Sequence, residues 1–351
     1  MLVFVYIALL FLCIVGLRFH NEYNTEYLAI DRCNYVKGFF ILLVFIRHIN
    51  QYIIRSGFNS NSLSDWLFFK LDSSGGQLIV VMFLFFSGYG IMESFKKKGE
   101  AYIKGMPRKR IFTTLLNFDV AVSFFVVLNI LLGKTISLRE ILLSFLAWDS
   151  VGNSNWYIFC ILMCYLLSFV TLSLYKKYFN SKSVYIYALS PLFILSIIAI
   201  IVLSYFKAPY WYNTMLCFSF GMFYSVVRDK VDTIVHQHYY KIFIAFIILF
   251  LISRYTPFSM KGLIYNMESI SFVMIVVLLM MKFESKNKWL QWMGQNLFPM
   301  YIYQRLAMMA IYEIHGGKNF IASFPLLYII ICFICILLIT SQYHRWQIKL
   351  S

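Results

Sequence analysis

The sequence predicts an all-α, polytopic membrane bundle, and three observations carry that reading. Of 351 residues, 61% are hydrophobic and only 13% charged, with a mean hydropathy of +0.73. Soluble chains run at about 45–50% apolar and about 25% charged. The apolar residues form continuous runs instead of alternating with polar ones, as strands of a membrane barrel would. Eleven runs approach the roughly 17–25 residues that a helix needs to cross hydrocarbon. A soluble enzyme, a disordered regulator and a secreted disulfide scaffold are all excluded.

The runs follow one another with short loops. The first, Leu2–Leu17, has no basic residue ahead of it and no small-x-small site behind it, so it reads as an uncleaved anchor. Gly38–Ile54 is the second and carries the densest set of polar residues. The third, Gln77–Ser94, is interrupted by Ser87-Gly88-Tyr89-Gly90, where small residues permit a close helix approach or a break lining a cavity. Ile111–Leu132 follows the basic cluster Lys104-Gly-Met-Pro-Arg108-Lys109-Arg110. Trp156–Tyr175 opens on Asn155-Trp156-Tyr157, which suits an interfacial aromatic belt. Val184–Phe206 and Tyr210–Val227 are plainly apolar. Tyr240–Ser253 is short, and Leu263–Met281 contains Glu268. Leu297–Tyr312 carries Arg305 inside a polar, Pro-containing opening, and Ala322–Ser341 closes the series.

The net charge of +16 sits mostly between these runs, so it reads as an orientation signal and not as a nucleic-acid surface. With the N-terminus outside, 21 of the 31 Lys and Arg fall in cytoplasmic loops and 8 in outer loops, as the positive-inside rule requires. The C-terminus is then cytoplasmic, in a plasma or inner membrane. Residues 1–31 form an anchor helix with a linker, and residues 32–351 one membrane domain. The seven cysteines lie mainly in apolar runs. Cys332-x-x-Cys335 has no His or Asp nearby, so neither disulfides nor a metal site is expected.

Ionisable groups within lipid are costly and mark function by default. Lys37 and His48 lie eleven residues apart, about three helical turns, so they share one face roughly 16 Å apart along the axis. Histidine suits proton transfer near neutral pH, and a lysine at the inner mouth suits an anion such as a phosphate. The bland alternative is a packing histidine with a snorkelling lysine. Asp119 and Glu268 are candidates to orient or balance His48 or Arg47, or to pair with Arg305. The basic cluster is adequately explained as an orientation signal and lipid-headgroup contact; its alternative reading is a docking patch for a polyanion.

These pieces in this order resemble the acyltransferase-3 family of membrane acyltransferases. The resemblance rests on Lys37 and His48 on the first core helix, with Lys where Arg is commoner, and on Met82-Phe-Leu-Phe-Phe-Ser87-Gly88 on the next. Arg108-Lys109-Arg110, Trp156-Tyr157 and Met300-Tyr301-Ile-Tyr303 follow. Pro107 stands where that family usually places the first Arg of its basic loop, and Gln304-Arg305 where its late helix often has His. The resemblance covers about Arg32 to the C-terminus and implies a ten-helix core, here preceded by one extra helix.

It implies an O-acetyltransferase moving an acetyl group from cytoplasmic acetyl-CoA to a hydroxyl of an extracytoplasmic sugar, either cell-surface or lipid-linked. On that expectation His48 is the general base, with Arg47, Asp119 and Glu268 around the chemistry. Lys37, Arg32, Arg108, Lys109, Arg110 and Ser87 hold the donor. Asn155, Trp156, Tyr157, Tyr301, Tyr303 and Arg305 meet the acceptor. Expected partners are the glycan, the bilayer and a second copy of the chain, with no nucleic acid. The competing expectation is a proton-coupled transporter or flippase of a glycan or lipid-linked substrate, with His48 and Asp119 relaying protons.

Overall fold

A computed structural model describes residues 2–59, 62–178, 185–256 and 262–349. Within lipid the backbone must satisfy its own hydrogen bonds, which a helix does inside a single segment. The chain accordingly runs through α1 (Val3–Ile14), β1 (Leu17–Phe19), α2 (Ile30–Arg55), α3 (Leu63–Gly75), α4 (Leu78–Lys98) and α5 (Glu100–Met106). A π-helical turn over Pro107–Phe112 leads into α6 (Thr113–Leu131), followed by α7 (Leu138–Phe145), α8 (Trp156–Tyr178), α9 (Ile186–Phe206), α10 (Leu216–Tyr255) and α11 (Gly262–Lys282). β2 (Phe283–Ser285), α12 (Lys288–Gln295), α13 (Leu297–Glu313), α14 (Gly317–Ser323) and α15 (Pro325–Gln342) complete it.

The protein is a multi-pass membrane protein. Among the described residues, eight helices are long and apolar enough to cross a bilayer, against the eleven expected. Three features account for the difference. α1 has 12 residues and α13 has 17, both short for a span. The seventh and eighth expected spans fall in α10, a 40-residue stretch in which two helices follow one another across a kink at His238 (φ −133°, ψ 30°) and which counts as a single crossing. The expected start of the sixth span at Val184, and the loop cations Lys182 and Lys261, lie outside the described residues.

Two glycine-mediated crossings set the interior. α4 and α10 touch backbone to backbone: a Cβ on Gly88 would lie 2.0 Å from Phe218 O, and one on Gly221 would lie 2.1 Å from Phe85 O. Gly38 of α2 and Gly294 of α12 meet in the same way, against Leu290 O and Asn34 O. The Ser87-Gly88-Tyr89-Gly90 stretch is thus a close-approach surface in an unbroken helix. This packing places α2 and α4 side by side, with α13 against the other flank of α2.

The segment between α1 and α2 is fastened to the end of α11. β1 pairs antiparallel with β2, Leu17 opposite Ser285 and Phe19 opposite Phe283. Lys282 Nζ then donates to Asn21 O at 2.7 Å and lies 3.8 Å from the Tyr23 ring centre. The strand pair was not foreseen, because two three-residue pieces carry no usable alternation.

Candidate functional site

α2 carries its polar residues into two separate cavities. The first, of about 650 Å³, is lined by Arg47, His48, Gln51 and Arg55 of α2 and by Tyr301 and Arg305 of α13, with Ser154, Asn155 and Trp156 at the start of α8. His48 is 6% exposed. Its Nε2 lies 3.4 Å from Ser154 Oγ, and its ring centre is 6.1 Å from that of Tyr301. The Gln304 side chain adjoins the imidazole, and His48 Nδ1 and Gln304 Oε1 are both buried without a hydrogen-bond partner. Gln304 is held from behind by its own Nε2, which donates to Tyr301 O at 3.1 Å.

Ser154 stands on a loop knitted by side chains. Ser150 Oγ donates to Asn153 O at 2.7 Å, and Val151 N donates to Asn153 Oδ1 at 3.0 Å. Asn155 Nδ2 donates to Asp149 O at 2.8 Å and Ala147 O at 3.2 Å. Asn129 of α6 reaches in with Nδ2 to Val151 O at 2.8 Å. Two residues of this loop have positive φ, Ala147 at 55° and Gly152 at 108°. For Ala147 that backbone state is strained, and strain of this kind collects around functional loops. Lys207, just beyond α9, clamps the loop from outside. Its Nζ donates to Trp148 O at 2.6 Å and lies 4.0 and 4.3 Å from the ring centres of Trp148 and Trp211.

Arg47 shares the cavity with His48 but is held by an unforeseen partner. Asp72 of α3 accepts from Arg47 Nη1 and from Asn50 Nδ2 through the same oxygen, Oδ2, at 2.7 Å each. Arg305 donates to Gln51 Oε1 at 3.1 Å and lies over the Tyr52 ring, while its Nε is buried without a partner.

The second cavity, of about 610 Å³, surrounds Lys37, Ser87 and Arg110 together with Lys97, Arg228, Tyr89 and Tyr165. Four cations face two carboxylates there, Glu26 and Glu93, and Glu93 is already engaged by Lys96 at 2.7 Å. Lys37 Nζ makes one long hydrogen bond, to Asn34 at 3.4 Å, and lies 5.8 Å from the Phe86 ring centre. Arg110 sits in the π-helical turn, a feature that recurs at functional sites. Arg228 at the wall donates to Tyr89 Oη at 3.0 Å and to Thr25 O, tying the N-terminal segment across the opening. Among the described residues, none lines both cavities. Between them α2 buries Phe40, Ile41 and Leu42, and α4 buries Phe83, Leu84 and Phe85.

Of the residues expected from sequence, His48, Arg47, Asn155, Trp156, Tyr301 and Arg305 meet in the first cavity, and Lys37, Ser87 and Arg110 in the second. The others lie elsewhere. Glu268 is 1% exposed and bound to Arg254 at 2.8 Å, and Arg254 also donates to Ser74 O, which makes it a clip between α10 and α3. Asp119 is on α6, away from the residues around His48, with Oδ1 buried and unpartnered. Arg32 faces Glu284 at 3.6 Å beside β2. Arg108 and Lys109 flank Arg110 without lining its cavity. Tyr157 packs on Tyr301 at 5.1 Å between ring centres, and Tyr303 packs among Phe124, Tyr343 and Trp346.

Sequence reasoning missed Asp72, Ser154, Gln304, Lys97 and Arg228. Asp72 falls in a stretch taken for a loop. Lys97 and Arg228 lie just beyond the expected third and seventh spans, where a cation reads as an orientation signal. Ser154 and Gln304 are neutral, and only their position beside His48 singles them out.

No curated protein and no solved structure matches the chain. A family model described as an acyltransferase domain, Acyl_transf_3, matches residues 27–340. That match covers nearly the whole chain, from Tyr27 ahead of α2 to Thr340 within α15, so the chain belongs to the acyltransferase-3 family of membrane acyltransferases.

Proposed function

We propose that the protein is an O-acetyltransferase that takes the acetyl group from acetyl-CoA at the Lys37 cavity and delivers it to a sugar hydroxyl at the His48 cavity. The observation that carries this reading is the placement of two cavities along one helix, a cationic one at Lys37 and one at a buried histidine about 16 Å further along. With the N-terminus outside, Lys37 faces the cytoplasm, where acetyl-CoA is made, and His48 faces the side where surface glycans lie.

Lys37, Lys97, Arg110 and Arg228 suit the phosphates of CoA, since ammonium and guanidinium groups make charge-assisted bonds to phosphate oxygens. The volume is in the range of small-molecule sites. The thin thioester arm then runs along α2 toward His48, and the buried side chains between the two cavities must part to admit it. At the other cavity His48 Nε2 is the general base that removes the acceptor hydroxyl's proton as its oxygen attacks the activated acyl group. Arg305 and Arg47 supply positive charge where the oxyanion develops. Trp156 and Tyr210 offer aromatic faces for a sugar ring.

Membranes containing the protein, supplied with labelled acetyl-CoA, should transfer label to glycan, and His48→Ala should abolish the transfer. Unchanged labelling in His48→Ala would overturn the histidine's role. Purified protein given acetyl-CoA and acceptor should release free CoA thiol. An intact thioester alongside movement of a glycan across the bilayer would favour a transporter instead.

A further inference from the structure

We infer that Ser154 is a covalent nucleophile, so that the acyl group passes from donor to acceptor through an acyl-Ser154 ester. This rests on the acyltransferase reading above and specifies how that site works. Three observations support it. Ser154 Oγ lies 3.4 Å from His48 Nε2, within the looser range that nucleophile–base pairs show before substrate binds. Ser154 is 2% exposed yet lines the His48 cavity, so its hydroxyl is shielded from bulk water but open to a bound substrate. Gln304 adjoins the imidazole, its Oε1 is a buried acceptor without a partner, and His48 Nδ1 is a buried ring nitrogen that also lacks one.

The two orphaned atoms complete each other. A proton on Nδ1 donates to Gln304 Oε1, which leaves Nε2 as the lone-pair nitrogen turned to Ser154. Gln304 cannot easily present its amide nitrogen instead, because Nε2 is committed to Tyr301 O. Nucleophile, base and a third group fixing the base's tautomer form the arrangement that activates a serine. Donors for the oxyanion are at hand. Asn153 Nδ2 and Arg305 Nε are buried, line the same cavity and have no partner, and the Tyr301 hydroxyl adjoins Ser154.

The chemistry balances in two steps. His48 Nε2 takes the Ser154 proton as Oγ attacks the thioester carbonyl. The C–S bond breaks, the proton goes to sulfur, and CoA leaves as the free thiol. His48 then takes the proton of the acceptor hydroxyl, whose oxygen attacks the Ser154 ester. The ester bond breaks and the proton returns to Ser154 Oγ. A covalent carrier also suits two cavities without a common wall, because donor and acceptor need never occupy the site together.

The test needs no knowledge of the acceptor. Purified full-length protein, given acetyl-CoA and labelled CoA without acceptor, should exchange label between the two, and rapid denaturation should leave acetyl on the Ser154 peptide by mass spectrometry. Ser154→Ala should lose about a thousand-fold in exchange while keeping wild-type elution and thermal midpoint. Ser154→Cys should retain exchange and carry a hydroxylamine-labile thioester. Gln304→Glu should retain exchange and Gln304→Met lose it, whereas a merely space-filling Gln304 predicts the reverse. Membrane transfer without any exchange, or acetyl found on His48 instead, would overturn Ser154 while leaving the acyltransferase reading intact. No exchange, no transfer and no thiol release together would overturn both.

Discussion

Lys37 and His48 project from one face of α2 into two cavities that share no lining residue. Each residue should therefore control a different substrate. Lys37→Glu places a carboxylate among the groups proposed to hold phosphate, beside Glu26 and Glu93. The apparent KM for acetyl-CoA should rise about tenfold or more, by the loss of about 1.4 kcal/mol or more in a charge-assisted contact, while the acceptor KM stays near wild type. Initial rates at varied concentrations of each substrate check this. A change confined to the acceptor would place the donor elsewhere.

Asp72 joins α3 to α2 by serving Arg47 and Asn50 with one oxygen. Its side chain is 6% exposed and that of Arg47 is 35%, so the pair is half wet. Asp72→Ala should cost about 2 kcal/mol, below the 3–5 kcal/mol typical of a fully buried pair. Thermal unfolding in detergent should show it as a lowered midpoint. Arg47 Nη1 also donates to the backbone carbonyl of Asp72 at 3.2 Å, a contact that Asp72→Ala leaves in place, so adding Arg47→Met should cost only about 1 kcal/mol more. A fully additive loss would show that Arg47 has a further partner, independent of residue 72.

How much of this was legible in the sequence follows from which residues are costly in lipid. Lys37, His48 and Arg305 stand out because a titratable group in an apolar run needs a reason, and each lines a cavity. The same logic misled at Glu268, where Arg254, fourteen positions earlier, supplied a structural reason that no spacing rule reveals. Ser154 carries no such cost, and its importance appears only once the loop brings it to His48. The break between the seventh and eighth expected spans was placed in the polar stretch Asp229–Gln237, whereas the helix runs on through that stretch and breaks at His238.

Gly88 and Gly90 offer an internally controlled test of the α4–α10 crossing. A Cβ at Gly88 would fall 2.0 Å from Phe218 O and 3.2 Å from Met222 N, both backbone atoms that cannot swing aside. Gly88→Ala should push the helices apart and cost about 1–3 kcal/mol, with Ser87 displaced from the Lys37 cavity. A Cβ at Gly90 would meet nothing within 4 Å. Gly90→Ala should then be neutral or stabilising by up to about 1 kcal/mol, since alanine is the better helix former. Thermal midpoints of the two variants in the same detergent decide it, and equal effects would contradict the crossing.

Lys207 acts on the Ser154 loop without touching either cavity, and that separates loop order from binding. Its ammonium lies between the faces of Trp148 and Trp211 and caps Trp148 O at 2.6 Å. Burial against these rings also disfavours its charge, so its pKa is held below the usual lysine value. Lys207→Met keeps the apolar stem but removes the donor and the cation–π attraction, worth about 0.5–2 kcal/mol in addition to about 1 kcal/mol for the hydrogen bond. The loop that presents Ser154 should loosen, since strained Ala147 precedes Trp148 by one residue. The turnover rate should fall several-fold while the apparent KM for acetyl-CoA stays unchanged, because the Lys37 cavity shares no wall with this loop. Lys207→Arg keeps the charge and a planar donor that stacks on tryptophan, and should recover most of the rate. A raised donor KM in Lys207→Met would instead mean that the two cavities are coupled through the loop.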